Sequence, residues 1–304
     1  MISHNACLLH DTGPDHPECA RRLTAINDQF VTTGLNDVLR HFDAPQVTDE
    51  QLLRVHTQQH LDTIAATVPE FGYARLDPDT IVSKESLHAA RRAAGALVAA
   101  VDLVCGGEMD AAFCCVRPPG HHAESDRAMG FCLYNNIAVG VAHALHEHGI
   151  ERLAAVDFDV HHGNGTEEIF SDDERVLFCS TFQHPFYPYT PVLEDAPNRV
   201  NVPLAAGAGS DEFRAAITDR WMPALQEFEP QMIFISAGFD AHRDDDMAMM
   251  NLTDADYRWV TEQIVQAASA SAGGRIVSTL EGGYELHSLA RCVDTHVRVL
   301  MGLQ

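Results

Sequence analysis

The sequence predicts a single α/β domain: a central, mostly parallel β-sheet with helices on both faces. Five short apolar, β-rich runs recur along the 304 residues, and longer stretches with helical periodicity separate them. Continuous apolar strands that alternate with helices are typical of a parallel sheet covered on both faces. Apolar residues make up 46 % of the chain, which is enough for a substantial core. With no repeat or linker-like stretch, we expect one domain over residues 1–304.

The individual elements follow from run length and periodicity. The strand segments are short, apolar and bounded by polar or turn residues. They are residues 111–116, 153–158, 176–181, 231–236 and 275–280. Five longer segments show helical periodicity, and Thr253, three residues before Asp256, resembles a helix N-cap. The predicted helices are residues 85–105, 135–148, 210–228, 254–271 and 286–301.

The charge balance is strongly acidic. Twenty basic residues stand against 44 acidic ones, and the formal net charge is −24. Such a surface repels nucleic-acid phosphates and attracts cations, so we expect no nucleic-acid partner. Only Lys84 among the basic residues is a lysine. We attribute this composition to salt adaptation, with a bias toward cationic substrates as its by-product.

Membrane spans and disulfides are not expected. No run of eighteen apolar residues occurs, and the first residues do not resemble a signal peptide. The eight cysteines form no CxxC pair, and most of them lie in apolar stretches. We therefore expect a cytoplasmic protein with reduced, buried thiols and no membrane partner.

Polar clusters follow four of the predicted strands. Their sequences are RPPGHH (117–122), DFDVHHGNG (157–165), AGFDAH (237–242) and EGGY (281–284). In open α/β sheets the ligand crevice lies beyond the carboxyl ends of the strands. The four clusters are therefore predicted to converge on one site.

Two of these clusters contain candidate metal ligands. Asp159 and His161 are two residues apart, so on an extended segment both side chains point the same way. Asp240, from another strand end, supplies a third ligand. Each of these residues alone would be interpreted as a turn residue, a helix cap or a core histidine. Together, two oxygens and one nitrogen leave a coordination position open, and Zn²⁺, Fe²⁺, Co²⁺ or Mn²⁺ fits that set.

The adjacent histidines His121 and His122 are candidate acid–base groups. An isolated pair would more simply be a solvated loop, but here Asp157 and Asn164 are available as partners. A carboxylate partner favours the imidazolium, so Asp157 is expected to raise the pKa of His121. His122, beside a neutral amide, is then expected to stay neutral and to accept the proton of water.

Tyr284 follows two glycines beyond the last predicted strand. Its simplest interpretation is a core tyrosine beside a turn. If it faces the metal, its hydroxyl can donate to a developing oxyanion. The glycines would allow a close approach of the backbone or a movement of the ring.

These motifs together resemble the histone deacetylase family, most closely the class II-like bacterial branch with the arginase/deacetylase fold. The resemblance covers nearly the whole chain, and chance agreement across six motifs in order is negligible. The matching segments are HPECARRL (16–23), RPPGHHA (117–123), GFCLYNN (130–136), DFDVHHGNGT (157–166), SAGFDAHRDD (236–245) and LEGGY (280–284).

The resemblance implies a role for each matching residue. One catalytic zinc ion per chain would be held by Asp159, His161 and Asp240. The implied catalytic residues are His121, His122, Asp157, Asn164 and Tyr284. A structural potassium ion would be bound through Asp157 and Ser180. The implied walls of an acyl-lysine tunnel are Gly130, Phe131 and Phe186.

Three departures from the family pattern affect the expected pocket shape. Phe182 stands where the family usually has histidine, Tyr189 where it has glycine, and Asp246 where it has proline. Two of these positions lie in loops expected to border the pocket. They bear on the identity of the substrate and not on the metal chemistry. The methionines at 247–250 are interpreted as a packed loop.

The expected function is metal-dependent removal of an acetyl or other short acyl group from a lysine-like amine of a protein, peptide or small molecule. The first alternative is an acetylpolyamine deacetylase, although Met247 stands where those enzymes place a glutamate. An arginase-like ureohydrolase would need ligands for a second metal, and a non-catalytic acyl-lysine binder would not need these groups together. The sequence leaves open whether the chain forms a homo-oligomer.

Overall fold

The computed structural model of the protein describes residues 1–303, and ten strands are formed. Eight of them belong to one sheet, and the other two, β3 and β4, form a separate antiparallel hairpin. The strands are β1 (Ile2–Ser3), β2 (Phe42–Asp43), β3 (Ala74–Arg75), β4 (Ile81–Val82), β5 (Ala111–Cys114), β6 (Leu153–Asp157), β7 (Val176–Gln183), β8 (Arg199–Leu204), β9 (Met232–Ala237) and β10 (Ile276–Leu280).

The eight-stranded sheet has the order β2-β1-β5-β10-β9-β6-β7-β8, and every neighbouring pair is parallel. The predicted architecture is therefore confirmed. Every residue of β6, β7, β9 and β10 is buried. Strands covered on both faces read as continuous apolar runs, which is why the sequence reveals them.

Ten α-helices accompany the sheet within residues 1–303. They are α1 (Arg21–Thr32), α2 (Asp49–Leu52), α3 (Gln58–Thr67), α4 (Ser86–Cys105), α5 (Asn136–Glu147), α6 (Asn164–Ile169), α7 (Ser210–Ala216), α8 (Met222–Phe228), α9 (Asp254–Ala267) and α10 (Leu286–Leu300). Helix α4 packs against α5, and α10 packs against α1 and α9. These layers bury the apolar side chains of the sheet.

The predicted helices are present, with two local differences. Residues 210–228 form α7 and α8 separated by a π-helical turn at Ile217–Trp221. Pro223 has no N–H for the regular ladder, which accounts for the irregular hydrogen bonding there. A second π-helical turn, Ala268–Ala272, ends α9 before Gly273, whose φ is 62°. At the start of α9, the carboxylate of Asp256 accepts the backbone N–H of Thr253 at 2.9 Å.

The four strands that carry the polar clusters are the four central neighbours β5, β10, β9 and β6. Because all four run parallel, their carboxyl ends lie at the same edge of the sheet. The clusters therefore meet there although they are far apart in sequence, by 160 residues between His121 and Glu281. The predicted convergence is confirmed.

Within residues 1–303, no helix has both the length and the apolar character needed to cross a bilayer.

All eight cysteines have free thiols, and six of them are buried.

Candidate active site

The two adjacent histidines lie in the loop after β5 and have unequal partners. His121 Nδ1 lies 2.9 Å from Oδ2 of Asp157, the last residue of β6. His122 Nδ1 lies 2.8 Å from Oδ1 of Asn164, the first residue of α6. All four side chains are buried. Each histidine thus has the hydrogen-bond partner expected from the sequence.

The unequal partners shift the two pKa values in opposite directions. Burial disfavours the charged form of His121, but the charges of Asp157 and Asp159 outweigh it and raise the pKa to about 10. Burial and repulsion by His121 hold the pKa of His122 well below its ordinary value. At neutral pH, His121 is then an imidazolium and His122 a neutral base.

The three candidate metal ligands meet just beyond β6 and β9. Nδ1 of His161 lies 3.0 Å from Oδ1 of Asp159 and 3.2 Å from Oδ2 of Asp240. All three side chains are buried, with exposed fractions of 6 %, 1 % and 1 % respectively. Their ligand atoms lie within 4.8 Å of one another. This is the geometry of a compact site for one ion with one nitrogen and two oxygen ligands.

The electrostatics of this cluster fit a cation. Oδ2 of Asp240 lies 3.2 Å from Nδ1 of His161, but within residues 1–303 no donor is aligned to form a hydrogen bond with it. Burial and repulsion by Asp159 raise the pKa of Asp240 to about 6. Burial opposes a charge on His161, but the two aspartates outweigh it and raise its pKa to about 9. The cluster therefore stabilises positive charge at its centre, which a divalent ion supplies.

Two glycines allow the carboxylates to come this close to the backbone. A Cβ on Gly238 would lie 2.0 Å from Asp159 Oδ2, and one on Gly282 would lie 2.0 Å from Asp240 Oδ2. The backbone N–H of Gly282 also donates to Asp159 Oδ2 at 2.8 Å. A larger residue at either position would displace a ligand oxygen.

Replacing Gly282 by alanine is therefore expected to lower the affinity for the metal by about 10–100-fold, the usual effect of disturbing the groups that orient ligands. Competition with a fluorescent chelator measures that affinity directly. Gly209→Ala is the matched control, because a Cβ there would have its nearest neighbour at 3.9 Å. Equal metal affinity in Gly282→Ala and the wild type would show that the cluster does not bind the ion.

Glu281 joins the end of β10 to the histidine segment, a role that the sequence did not reveal. Its Oε2 accepts the backbone N–H groups of Gly120 at 2.7 Å and His121 at 3.2 Å. Ser236 Oγ donates to its Oε1 at 3.3 Å. Burial raises the pKa of Glu281 to about 7, against the opposing charge of His121. The carboxyl group thereby fixes the backbone that carries His121.

Tyr284 is held at the site by the segment on either side of it. Arg22, fully buried, donates from Nε to the carbonyl of Gly283 at 2.6 Å and from Nη2 to that of Glu281 at 2.5 Å. The same guanidinium lies 5.0 Å from the centre of the Tyr284 ring. Burial and the charge of Asp240 raise the pKa of Tyr284 well above its usual value. The phenol is thus a proton-bearing hydrogen-bond donor.

Four of the residues described above, His121, His122, His161 and Tyr284, border one cavity of about 150 Å³. It is lined by Asp79, Pro119, His121, His122, Gly130, Phe131, His161, Phe186, Tyr187, Met247, Gly282 and Tyr284. The rings of Phe131 and Tyr284 meet edge to face at 6.0 Å, and Phe186 stacks on His161 at 5.4 Å. The predicted wall residues Gly130, Phe131 and Phe186 therefore all lie at this cavity.

The loop that carries Gly130 and Phe131, on one wall of the cavity, adopts an unusual backbone. Phe131 has φ 67°, a left-handed conformation that costs a non-glycine residue energy. The N–H of Phe131 donates to Thr80 Oγ1 and that of Gly130 to Asp79 Oδ1, both at 3.2 Å. A Cβ on Gly130 would lie 2.3 Å from the His122 ring. Hydrogen bonds from the loop after β3 thus hold this wall in close contact with His122.

Tyr187 and Asp79 also line the cavity and were not predicted, whereas Met247 was singled out only through the resemblance. Tyr187 meets the ring of His122 edge to face at 5.1 Å. Met247 lines the cavity, so it is not simply part of a packed loop, whereas Met249 is exposed and Met250 buried. No local pattern reveals these contacts, because loops distant in sequence form the wall.

The three departures lie in different surroundings. Phe182 is in β7 and packs on the His162 ring at 4.3 Å, away from the cavity lining. Tyr189 is 76 % exposed, with its ring 6.2 Å from that of Tyr187. Asp246 lies beside Met247 on a surface groove outside the cavity. Of the three departures, Tyr189 and Asp246 lie in loops that also carry cavity-lining residues, Tyr187 and Met247.

The expected potassium ligands lie side by side on neighbouring strands. Asp157 and Ser180 are register partners of β6 and β7, and both are fully buried. The hydroxyl of Ser180 lies 3.3 Å from His162 Nδ1. The two side chains are therefore adjacent, as a shared ion requires.

Two other groups of potential metal ligands lie elsewhere, and each is held by arginine. Arg54 lies 3.3 Å from the His143 ring of the group with Asp102 and His148. Arg291 donates to Asp254 of the group with His242 and Cys292 at 3.0 Å. In the second group the guanidinium of Arg291 pairs with the carboxylate of Asp254, and in the first the carboxylate of Asp102 is 53 % exposed at the surface. The buried cluster beside the cavity is therefore the candidate metal centre.

Comparison with known proteins places this geometry in a family. The family model described as histone deacetylase domain matches residues 16–300. A histone deacetylase-like amidohydrolase of Pseudomonas aeruginosa is 38 % identical, over 95 % of this chain and 77 % of that protein. The polyamine deacetylase HDAC10 of Mus musculus is 35 % identical, over 97 % of this chain and 46 % of its own length.

A solved structure gives the same result. The crystal structure of the HDA15 HD domain matches with a TM-score of 0.93 and 34 % identity, covering 99 % of this chain and 89 % of that one. The likeness extends over the central sheet and the helices on its faces. By its sequence and its fold, the chain belongs to the histone deacetylase family.

Proposed function

We propose that the whole chain is one catalytic domain that removes an acetyl or other short acyl group from a lysine-like amine, with the help of a bound metal. One observation carries the proposal: a charged and a neutral histidine, Tyr284 and the three-ligand cluster, through His161, face a single cavity. A binding module would have no need of a neutral base beside an imidazolium.

Asp159, His161 and Asp240 would hold the metal, and Zn²⁺ suits one nitrogen and two oxygens with a position left open. Fe²⁺, Co²⁺ and Mn²⁺ fit the same donors. When bound, the ion polarises the amide carbonyl and lowers the pKa of water.

His122 takes the proton of the attacking water, because it is the neutral member of the histidine pair. The water oxygen bonds to the carbonyl carbon, and the C–N bond breaks as the proton passes to the amine nitrogen. His121 remains an imidazolium beside Asp157 and stabilises the negative charge that develops. Tyr284 donates a hydrogen bond to the same developing oxyanion.

Asp157 would serve a second purpose by binding structural K⁺ together with Ser180, its register partner on β7. A nearby cation weakens the field of the carboxylate at His121. The charge of His121 is therefore set by Asp157 and would be tuned by the ion.

The identity of the amine depends on the cavity wall. Met247 gives an apolar edge to the cavity where a cationic polyamine would need a carboxylate, which favours an acyl-lysine side chain. The second candidate is an acetylpolyamine, since a relative is named a polyamine deacetylase and the net charge of −24 attracts cations.

The deciding experiment compares kcat/KM of the zinc-loaded enzyme for acylated lysine peptides and for acetylpolyamines. We expect higher values for the lysine peptides, and we expect Met247→Glu to shift the ratio toward the polyamines. Met249→Glu, at an exposed position outside the cavity lining, is the control. Turnover of polyamines alone would replace the first candidate by the second, and turnover of neither would contradict both.

Asn164→Asp is expected to move the acid limb of the pH–rate profile to higher pH. A carboxylate stabilises the imidazolium, so the pKa of His122, now below its ordinary value, rises and the base stays protonated to higher pH. The pH dependence of kcat/KM measures the limb. The control Asn251→Asp, at an exposed site, should leave the acid limb in place. An unmoved acid limb in Asn164→Asp would argue against His122 as the base.

A further inference from the structure

The amide of Asn164 has different partners at its two ends. Its Oδ1 lies 2.8 Å from Nδ1 of His122, and its Nδ2 donates to Oε1 of Glu124, also at 2.8 Å. Asn164 and His122 are each 4 % exposed. Glu124 has no part in the metal cluster and does not line the cavity. The neutral partner of His122 is thus itself held by a carboxylate.

This arrangement determines which way the amide points. A carboxylate only accepts hydrogen bonds, so it must face the NH₂ end of the amide and not its oxygen. A rotated amide would place Oδ1 against Oε1 of Glu124, with two acceptors facing each other. The carbonyl of His122 and the sulfur of Met129 also lie 3.5 Å from Nδ2. Glu124 is nevertheless the nearest acceptor and the strongest restraint that keeps the oxygen of Asn164 on His122.

The amide orientation in turn determines the tautomer of His122. Facing an acceptor oxygen, Nδ1 must carry the proton, and Nε2 is left with its lone pair. Only Nε2 can then accept the proton of water. A freely rotating amide would also admit the tautomer with a protonated Nε2, which has no base function at that atom.

Glu124 is itself fixed on three sides. Its backbone N–H donates to the carbonyl of Arg127 at 2.9 Å, and its carbonyl lies 3.0 Å from Nδ1 of His56. Nη2 of Arg127 donates to the carboxylate at 3.1 Å. The side chain is only 20 % exposed, so these contacts restrict the position of the carboxylate.

We propose that Glu124 is a positioning residue for the reaction, which acts through Asn164 to keep His122 in the tautomer with a basic Nε2. This inference rests on the proposed function in one respect, the assignment of His122 as the base. The orientation of the amide and the tautomer are properties of the resting protein and can be observed without turnover.

The kinetic test replaces Glu124 in the zinc-loaded enzyme. Glu124→Ala is expected to lower kcat about tenfold and to leave KM nearly unchanged, in line with groups that orient a catalytic or metal-binding side chain. Glu124→Gln should lower kcat less than Glu124→Ala does, because the new amide oxygen still accepts a hydrogen bond from Asn164. Its NH₂ group, however, also permits the rotated amide of Asn164. Glu168→Gln is the matched control, because the Glu168 carboxylate holds the same loop through Ser125 at 2.8 Å but makes no hydrogen bond to the side chain of Asn164.

A double variant separates positioning from a general effect on the loop. Asn164→Asp places two carboxylates face to face, so adding Glu124→Gln, with its NH₂ donor, should raise kcat above that of the single variant. Equal losses in Glu124→Ala and Glu168→Gln would overturn the proposal. So would a double variant no more active than Asn164→Asp.

The ¹⁵N NMR shifts of the His122 ring, assigned by comparison with His122→Ala, report the tautomer directly. We expect protonated Nδ1 and bare Nε2 in the wild type, and a mixture in Glu124→Ala. A wild type with protonated Nε2, or a tautomer unchanged in Glu124→Ala, would overturn the role of Glu124. Absence of turnover with the expected tautomer would instead reject the proposed function.

Discussion

His122→Ala is expected to lower kcat by about 10²–10⁴-fold, the usual contribution of a positioned general base. It is also expected to be the more damaging of the two histidine substitutions at neutral pH. The pKa of its neighbour His121 is raised to about 10, so at neutral pH His121 is already protonated and cannot accept another proton. The pKa of His122 lies well below its ordinary value because of burial and repulsion by His121, so it is the free base.

The comparison is made between His122→Ala and His121→Ala, both loaded with metal and checked for their fold by circular dichroism. In His121→Ala the buried Asp157 loses a hydrogen-bond partner at 2.9 Å, and burial already raises the pKa of that carboxyl group. This variant is therefore expected to lose stability as well as charge stabilisation. A larger loss of kcat in His121→Ala than in His122→Ala would reverse the assignment of the base.

Tyr284→Phe is expected to fold and to bind metal, and to lose about 10²–10³-fold in kcat, the cost of one oxyanion donor. The ring contributes packing that phenylalanine keeps, since it meets Phe131 edge to face at 6.0 Å and lies 5.0 Å from the Arg22 guanidinium. Arg22 holds this segment through backbone carbonyls, which the substitution leaves intact. The loss should therefore come from the hydroxyl alone.

Tyr257→Phe is the control for Tyr284→Phe, because it removes a buried phenol hydroxyl with no hydrogen-bond partner in residues 1–303. Its kcat should match that of the wild type. Metal content and the thermal midpoint are measured for both variants. Activity of Tyr284→Phe within a few-fold of the wild type would exclude an oxyanion contact.

The central sheet was predictable because its inner strands are buried on both faces. In β6 and β9 every residue is buried, and their sequences are apolar runs that end at Asp157 and Ala237. The strands β1 and β2, with two residues each, and the edge strand β8, with Arg199 and Asn201, show no such run. Short or edge strands depend on their neighbours for stability, and a local pattern does not reveal them.

The groups that follow the central strands were predictable, but the loops that approach them were not. The pairs His121–Asp157 and His122–Asn164 lie within hydrogen-bond distance because each partner follows a strand of the same sheet edge. Their catalytic roles stay predictions. Tyr187 and Glu124 come from loops whose course depends on tertiary packing, so nothing in their local sequence indicates their position.

The most direct test of the metal-dependent deacetylase function is a titration of the metal-free protein with Zn²⁺, in which bound metal and acetate released from an acetyl-lysine peptide are measured in the same samples. We expect acetate release to rise in proportion to bound zinc and to stop rising at about one ion per chain, the number that the single cluster Asp159, His161 and Asp240 can hold beside the cavity. Full occupancy without acetate release would contradict deacetylation. Activity that appears only with a second ion per chain would contradict a single-metal site and favour the two-metal, arginase-like alternative.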